Sequence, residues 1–310
     1  MNELIKTGLP LLLQVAIMFV MIFAGAAATK FKLINREGND KMINVLLYIV
    51  TPALIIDSFA SIDFTPQRAI ELLIATGCAV LTHIVGIAFS FIFTKEKDKA
   101  RKAVLKFAPV FSNGGFMALP LASALFGADG VFYGSAYVII FNIMQWTYGV
   151  TLFPKNAGTP LTKTLINPGT VGVILGLPIF IFGIDLPSII AAPIGQIAGM
   201  NTPLAMLVTG YFVATSDLTK GLTRPSLWIV CLLRLLVIPM CMLIIFKYGF
   251  SLSGTLLCCC VLPASAPCAV NTMVLASKFG GDEDFGLKLL SISTILSVIT
   301  MPLLLSLAQI

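Results

Sequence analysis

Long apolar stretches separated by short polar segments make up most of the chain. Apolar runs of about 20 residues, the length that crosses a bilayer as an α-helix, occur at ten places. The pattern predicts ten transmembrane helices at 8–29, 41–61, 68–94, 103–126, 130–153, 168–184, 187–215, 225–248, 251–279 and 285–308. We therefore expect an all-α polytopic membrane protein.

The composition supports this class. Hydrophobic residues make up 58% of the 310 residues, charged residues only 11%, and the mean hydropathy is +0.99. Soluble proteins carry about 25% charged residues, so the chain cannot cover a water-facing surface. All seven cysteines fall inside apolar spans without the paired spacing of a metal site or a disulfide framework. We expect neither a metal nor a cofactor.

The basic residues lie mostly on one side of the predicted membrane. Sixteen of the 20 lie beside the loops that follow odd-numbered spans: Lys30, Lys32, Arg36, Lys41, Lys95, Lys97, Lys99, Arg101, Lys102, Lys106, Lys155, Lys163, Lys220, Arg224, Lys278 and Lys288. Because cytoplasmic loops carry the excess of Lys and Arg, these loops are predicted to be cytoplasmic and both termini extracytoplasmic. The predicted location is the inner membrane. This asymmetry explains the net charge of +6 without a nucleic-acid partner.

Two short motifs recur half a chain apart. "TPAL" at Thr51 returns as "TPLA" at Thr202, and "LASALFGADG" at Leu121 returns as "LASKFGGDED" at Leu275. Five spans per half is an odd number, so the halves would cross the membrane in opposite directions, as in many secondary transporters. The predicted division is a first repeat at 1–153, a cytoplasmic linker at 154–167 and a second repeat at 168–310.

Two corresponding spans contain residues that disrupt helices at membrane depth. The fourth carries Asn113, Gly114, Gly115 and Pro120, and the ninth carries Pro267 and Asn271. Unpaired backbone groups cost several kcal/mol each in hydrocarbon, so broken helices survive only where protein or a water-filled cavity covers them. Breaks at equivalent positions of inverted halves mark a binding site near the bilayer midplane. The alternative is that these prolines only kink packed helices.

The residue types at the two breaks suit an anion. The N-termini of half-helices present free N–H groups and a partial positive charge, and an asparagine amide donates without imposing a fixed charge. Neither break contains Asp or Glu, which cation-coupled carriers usually keep. An anion leaving an inside-negative cell gains about 2.3 kcal/mol per charge per 100 mV, so the potential alone could drive export. Backbone carbonyls can also hold sodium, and cation coupling therefore stays open.

Other polar residues lie within the spans. Arg234 lies about 15 Å along its helix from Arg224. It could pair with an anionic substrate, or it could have a structural role by donating hydrogen bonds to the carbonyl groups at helix C-termini. His83 is interpreted as a core histidine. Asn142 and Gln145 share one helical face and could line the cavity or bridge helices.

Four segments carry a family resemblance: "SNGGFMALPLASALFGADG", "FNIMQWTYG", "LRLLVIPM" and "PCAVNTMVLASKFGGDEDFGLKLLSISTILS". They resemble the auxin efflux carrier family, which includes the PIN-type plant carriers and bacterial carriers assigned to malonate. The resemblance implies a scaffold of spans 1, 2, 6 and 7 that forms a homodimer, and a transport domain of spans 3–5 and 8–10 that slides like an elevator. It also implies that spans 4 and 9 unwind and cross, with roles for Asn113, Pro120, Pro267 and Asn271.

The chain of 310 residues lacks the long cytoplasmic loop of the plant carriers. Because this compact form resembles the bacterial carriers, we expect a bacterial protein. The sequence therefore predicts a secondary transporter of a small organic anion, for example malonate, rather than of auxin. Thr51, Pro52 and Thr202 are predicted to face this anion from the scaffold. One histidine and no mid-span carboxylate leave no catalytic pair, so we expect no enzyme. The alternatives are a sodium- or proton-coupled symporter with the fold of the bile-acid carriers, and a sensor without transport.

Overall fold

The computed structural model describes residues 2–93, 95–155, 168–217 and 223–309, and it describes the side chains of these residues except for 2–11 and 168. Most of the predicted linker at 154–167 lies outside these ranges. Throughout the described ranges, every regular element is a helix.

The described residues of the first half form six α-helices. They are α1 (Asn2–Lys30), α2 (Arg36–Val45), α3 (Thr51–Ala60), α4 (Pro66–Phe93), α5 (Lys99–Val110) and α6 (Leu119–Thr147). A π-helical turn at Leu46–Val50 joins α2 to α3, a second at Gly114–Ala118 leads into α6, and a 3₁₀ turn at Gly149–Leu152 follows α6. The Asn35 side chain accepts a hydrogen bond from the backbone of α2, and Asp98 does the same for α5. Side-chain caps of this kind fix where a helix begins.

The described residues of the second half form eight helices, most of them short. They are α7 (Pro168–Phe182), α8 (Ser188–Gly199), α9 (Asn201–Thr215), α10 (Pro225–Leu232), α11 (Ile238–Ile244), α12 (Gly254–Ser265), α13 (Asn271–Phe279) and α14 (Glu283–Gln309). A π-helical turn at Leu233–Val237 joins α10 to α11, and another at Ile245–Gly249 follows α11.

Seven helical stretches of the described chain are long and apolar enough to cross a membrane. They are Leu12–Lys30, Arg36–Ala60, Pro66–Phe93, Gly114–Leu152, Ser188–Thr215, Pro225–Gly249 and Glu283–Gln309. Gly169–Phe182 and Gly254–Ser265 are shorter apolar helices. The prediction of an all-helical, multi-pass membrane protein is confirmed. The count of ten spans and the inversion of the halves stay predictions.

The helices of the predicted scaffold contact one another. Helix α1 packs on α9, and α3 packs on α7 and α8. A Cβ atom added to Gly25 would lie 2.5 Å from the Leu207 carbonyl oxygen, and one added to Gly210 would lie 2.2 Å from that of Ile22. Small residues at a membrane helix interface allow such close backbone approach. The division into a scaffold and a moving domain is not tested by these contacts.

The repeated sequence motifs share two local features. Thr51 begins α3 directly after a π-helical turn, and Thr202 is the second residue of α9. In the longer motif, a glycine that follows phenylalanine has a positive φ in both copies, 58° at Gly127 and 73° at Gly280. Gly127 bends α6 where the sequence predicts the boundary between two spans. Their ψ angles differ, −137° at Gly127 and 32° at Gly280, and the internal repeat stays a prediction.

Candidate functional site

The two predicted breaks meet in the structure. The chain unwinds between α5 and the Gly114–Ala118 turn, and again between α12 and α13. The N–H of Asn113 donates to the Pro267 carbonyl at 2.7 Å, and the N–H of Ala269 donates to the Phe111 carbonyl at 3.0 Å. Over the part of the chain that the structure describes, this antiparallel bridge is the one strand-like pairing. We call these two bonded segments the paired breaks.

Buried side chains from α6 and α14 hold the paired breaks in place. The hydroxyl groups of Ser112 and Tyr137 are 2.7 Å apart, and the N–H of Cys268 donates to the Ser293 hydroxyl at 3.1 Å. The ring of His83 lies on Tyr137, with 5.0 Å between ring centroids. The bond to Ser293 satisfies a backbone N–H of the unwound segment that would otherwise be unpaired in an apolar interior.

Arg234 binds the carbonyl ends of both broken helices. Its side chain is fully buried, and Nε donates to Ala266 at 3.0 Å while Nη1 donates to Pro109 at 3.0 Å. Nη2 donates to the carbonyls of Pro263, at 3.3 Å, and Ala264. These carbonyls end α5 and α12, where the helix dipole is negative and favours a cation. The contacts match the structural alternative for Arg234, and a role in binding substrate is untested.

Asn271 is bonded to a glutamine of α6. Its Nδ2 donates to Oε1 of Gln145 at 2.6 Å, and Gln145 is buried. The side chain of Asn142, by contrast, donates to the carbonyl of Val138 in its own helix at 2.9 Å. Of the two polar residues on this face of α6, Gln145 is therefore the one that reaches the paired breaks. The spacing of these two residues in the sequence points to the face, but it cannot say which of them makes the contact.

Asn113 lies at the N-terminus of the half-helix that follows the first break. It is 2% exposed, and its Nδ2 has no hydrogen-bond partner among the described residues. The N–H of Gly114 donates to the Ser112 carbonyl at 2.8 Å, and those of Met117 and Ala118 donate to the carbonyl of Asn113. A Cβ atom added to Gly115 would meet no atom within 4 Å, so open space adjoins this turn. The unpaired Nδ2 donor, at the positive end of a half-helix and two residues from this open space, is a candidate to bind an anionic group.

Pro120 lies outside the unwound segment. It is the second residue of α6, where the π-helical turn that begins at Gly114 passes into an α-helix. Its role in substrate binding stays a prediction. The unwound segment instead follows Pro109, which lies in the last turn of α5. Pro267, in contrast, takes part in the backbone pairing.

The three predicted scaffold residues lie at helix starts. Thr51 and Pro52 are buried at the start of α3, and a Cβ atom added to Gly172 would lie 3.0 Å from the Pro52 Cα. Pro52 thus packs against α7. Thr202 is half-buried in the first turn of α9, a helix that contacts the Gly114–Ala118 turn. Whether these residues face a substrate is untested.

A cavity of about 470 Å³ opens between α2, α9, α13 and α14. Its volume falls in the range of small-molecule sites. Met273, two residues beyond Asn271 in α13, lies in its wall together with Lys278. Across its rim, Arg36 of α2 forms an ion pair with Glu283 of α14 at 3.3 Å. The cavity therefore adjoins the second break, and it lies where predicted scaffold helices meet predicted moving helices.

Comparison with known proteins identifies the family. A family model described as "Membrane transport protein" matches residues 10–164 and 157–305. The chain belongs to this family of membrane transporters. The resemblance to the auxin efflux carriers is confirmed at this level, and membership of a transporter family argues for a carrier rather than an enzyme.

Two relatives extend over almost the whole transporter. An uncharacterized transporter of Methanothermobacter thermautotrophicus is 26% identical over 289 residues, which cover 92% of this chain and 94% of the relative. An uncharacterized transporter of Methanocaldococcus jannaschii is 21% identical over 305 residues, covering 93% and 96%. Both organisms are archaea and neither name states a substrate, so the relatives do not support a bacterial origin or malonate.

Proposed function

We propose that the protein is a secondary transporter of a small organic anion that binds at the paired breaks. The observation that carries this proposal is the buried amide of Asn113, which has no partner among the described residues and lies at the N-terminus of a half-helix beside open space. A buried donor without a partner costs about 1–3 kcal/mol. An anion that accepts a hydrogen bond from this amide removes the cost. Asn271 lies at the start of the second half-helix, where its hydrogen bond to Gln145 positions it as the second amide of the proposed site.

The arrangement of charge favours an anion over a cation. The carbonyl ends of α5 and α12 would attract a cation, but the guanidinium of Arg234 already binds them. The N-terminal ends of the Gly114–Ala118 turn and α13 carry the opposite partial charge. For this reason the sodium- or proton-coupled symporter is the less favoured alternative.

The substrate class follows from this chemistry. A small mono- or dicarboxylate, such as malonate, offers oxygen acceptors for N–H and amide donors. The cavity of about 470 Å³ beside α13 is large enough to admit such an anion, although neither Asn113 nor Asn271 lines it. In this proposal α4–α6 and α10–α14 move as an elevator against a dimeric scaffold of α1–α3 and α7–α9. The site would then reach each side of the inner membrane in turn.

Flux in proteoliposomes tests the proposal. The purified protein is reconstituted with low internal and high external potassium, so that valinomycin makes the liposome interior positive. Uptake of radiolabelled malonate and a panel of small carboxylates is then measured with and without sodium or a pH gradient. We expect at least one carboxylate to move toward the positive side on the potential alone, above protein-free liposomes. Flux that requires sodium or a proton gradient would favour the symporter, and the absence of flux for the whole panel would overturn the proposed substrate class.

A further inference from the structure

A group of lysines surrounds two adjoining cavities where α4 gives way to α5. The cavities have volumes of about 490 and 320 Å³, and Lys102 and Lys106 line both of them. Lys95 and Lys97 line the first cavity, and Lys99 lines the second. We call these five residues the lysine cluster. The paired breaks lie beyond the opposite end of α5, so the cluster is separate from the proposed transport site.

The positive charge of the lysine cluster is not neutralised by neighbouring carboxylates. Throughout the described chain, none of the five lysines forms an ion pair with Asp or Glu. The nearby acidic side chains are engaged elsewhere: Asp282 and Glu96 pair with Arg101 at 3.0 and 3.9 Å, and Asp98 caps α5. Glu96 lines the first cavity and is the acidic residue of its wall. A cavity with several cations and one engaged carboxylate attracts an anion.

The lysine cluster adjoins a surface that is apolar and exposed. Phe91, Ile92 and Phe93 end the membrane-spanning helix α4 and are 54%, 63% and 48% exposed. Phe91 also lines the first cavity, and the ammonium group of Lys106 lies 3.8 Å from the centroid of its ring. Basic groups therefore meet lipid-facing side chains along one edge. An amphiphile with an anionic head and an apolar tail matches this combination.

We propose that these two cavities bind the phosphate headgroup of an anionic phospholipid. Basic pockets at the ends of transmembrane helices bind such headgroups, and the apolar end of α4 provides a surface for the acyl chains. Free inorganic phosphate shares the headgroup chemistry, but it gains nothing from the exposed phenylalanines. A bound lipid would contact the start of α5, whose last turn holds Pro109 and its bond to Arg234.

The test compares lipids and variants by thermal melting of the purified full chain in detergent. Phosphatidylglycerol, phosphatidylcholine and inorganic phosphate are added separately to the wild-type protein, to Lys102→Gln/Lys106→Gln and to Lys30→Gln/Lys32→Gln. The last variant is the matched control, because it removes the same charge from exposed residues that line neither cavity.

We expect phosphatidylglycerol to raise the melting temperature of the wild type and the control, and to lose at least half of this effect in Lys102→Gln/Lys106→Gln. An equal shift in both double variants would overturn the proposal, and so would an equal shift from inorganic phosphate. If the cavity variant does not fold, wild-type protein extracted from nanodiscs with equal amounts of both lipids decides the question by native mass spectrometry. Retention of phosphatidylglycerol over phosphatidylcholine supports the lipid site, and equal retention refutes it.

Discussion

Replacing Arg234 by methionine would remove the donor that joins the two broken helices. Methionine keeps much of the apolar volume but leaves four carbonyls without the guanidinium. The Pro263 carbonyl keeps a second donor, the N–H of Ala266 at 3.4 Å. The carbonyls of Pro109, Ala264 and Ala266 lie at helix ends, where no following helical N–H reaches them.

Each buried acceptor that loses its partner costs about 1–3 kcal/mol, so three cost about 6 kcal/mol at the middle of this range. Removing a buried charge returns part of this through its lost desolvation penalty, and if about half is returned the net destabilisation for Arg234→Met is about 3 kcal/mol. For a chain of this size, each kcal/mol lowers the melting temperature by about 2 °C, which predicts a decrease of about 6 °C.

A thiol-reactive dye can measure this change, because six of the seven cysteines are buried and become reactive on unfolding. Arg224→Met is the matched control, since Arg224 is exposed just before α10 and should melt like the wild type. Arg234→Lys, which keeps the charge but not the planar fork of donors, should fall in between. Melting of Arg234→Met within about 1 °C of the wild type would refute the role assigned to these hydrogen bonds.

Two further predictions concern helix packing and the second break. Gly210→Val should separate α1 from α9 and lower the melting temperature, because even a Cβ atom would lie 2.2 Å from a carbonyl oxygen. The control is Gly77→Ala, whose added Cβ atom would meet no atom within 4 Å. This variant should be neutral or stabilised by up to about 1 kcal/mol. Gln145→Leu leaves the amide of Asn271 without its 2.6 Å partner and should reduce carboxylate flux while the protein still folds, whereas unchanged flux would remove Gln145 from the site.

The helices could be predicted because their signals are local. Apolar runs, the Asn35 and Asp98 caps and the glycines at bends lie within the segments that they shape. The boundary predicted between the fourth and fifth spans illustrates the limit. In the structure this boundary is a single non-helical residue, Gly127, inside the continuous helix α6. The hydrophobicity of a residue indicates whether it lies in the membrane. It does not indicate whether the helix continues through a bend.

The contacts of the candidate site could be predicted only in part. Asn113 and Asn271 stand out because amides are rare in apolar spans beside glycine or proline. The partners of Arg234 come from two distant segments, 125 residues before it and about 30 residues after it, and no local pattern encodes such pairings. Ser112 and Tyr137 are likewise joined only by the fold.

The most direct test of the proposed site is potential-driven carboxylate flux in Asn113→Leu and Asn271→Leu proteoliposomes. Thr76→Val serves as the control, because the Thr76 hydroxyl bonds to the backbone of its own helix. Losing a hydrogen bond to a charged ligand costs about 1.5–3 kcal/mol, so flux at low substrate should fall about tenfold or more in each asparagine variant. The control should transport like the wild type. Wild-type flux in both asparagine variants, with the protein folded and reconstituted equally, would contradict an anion site at the paired breaks.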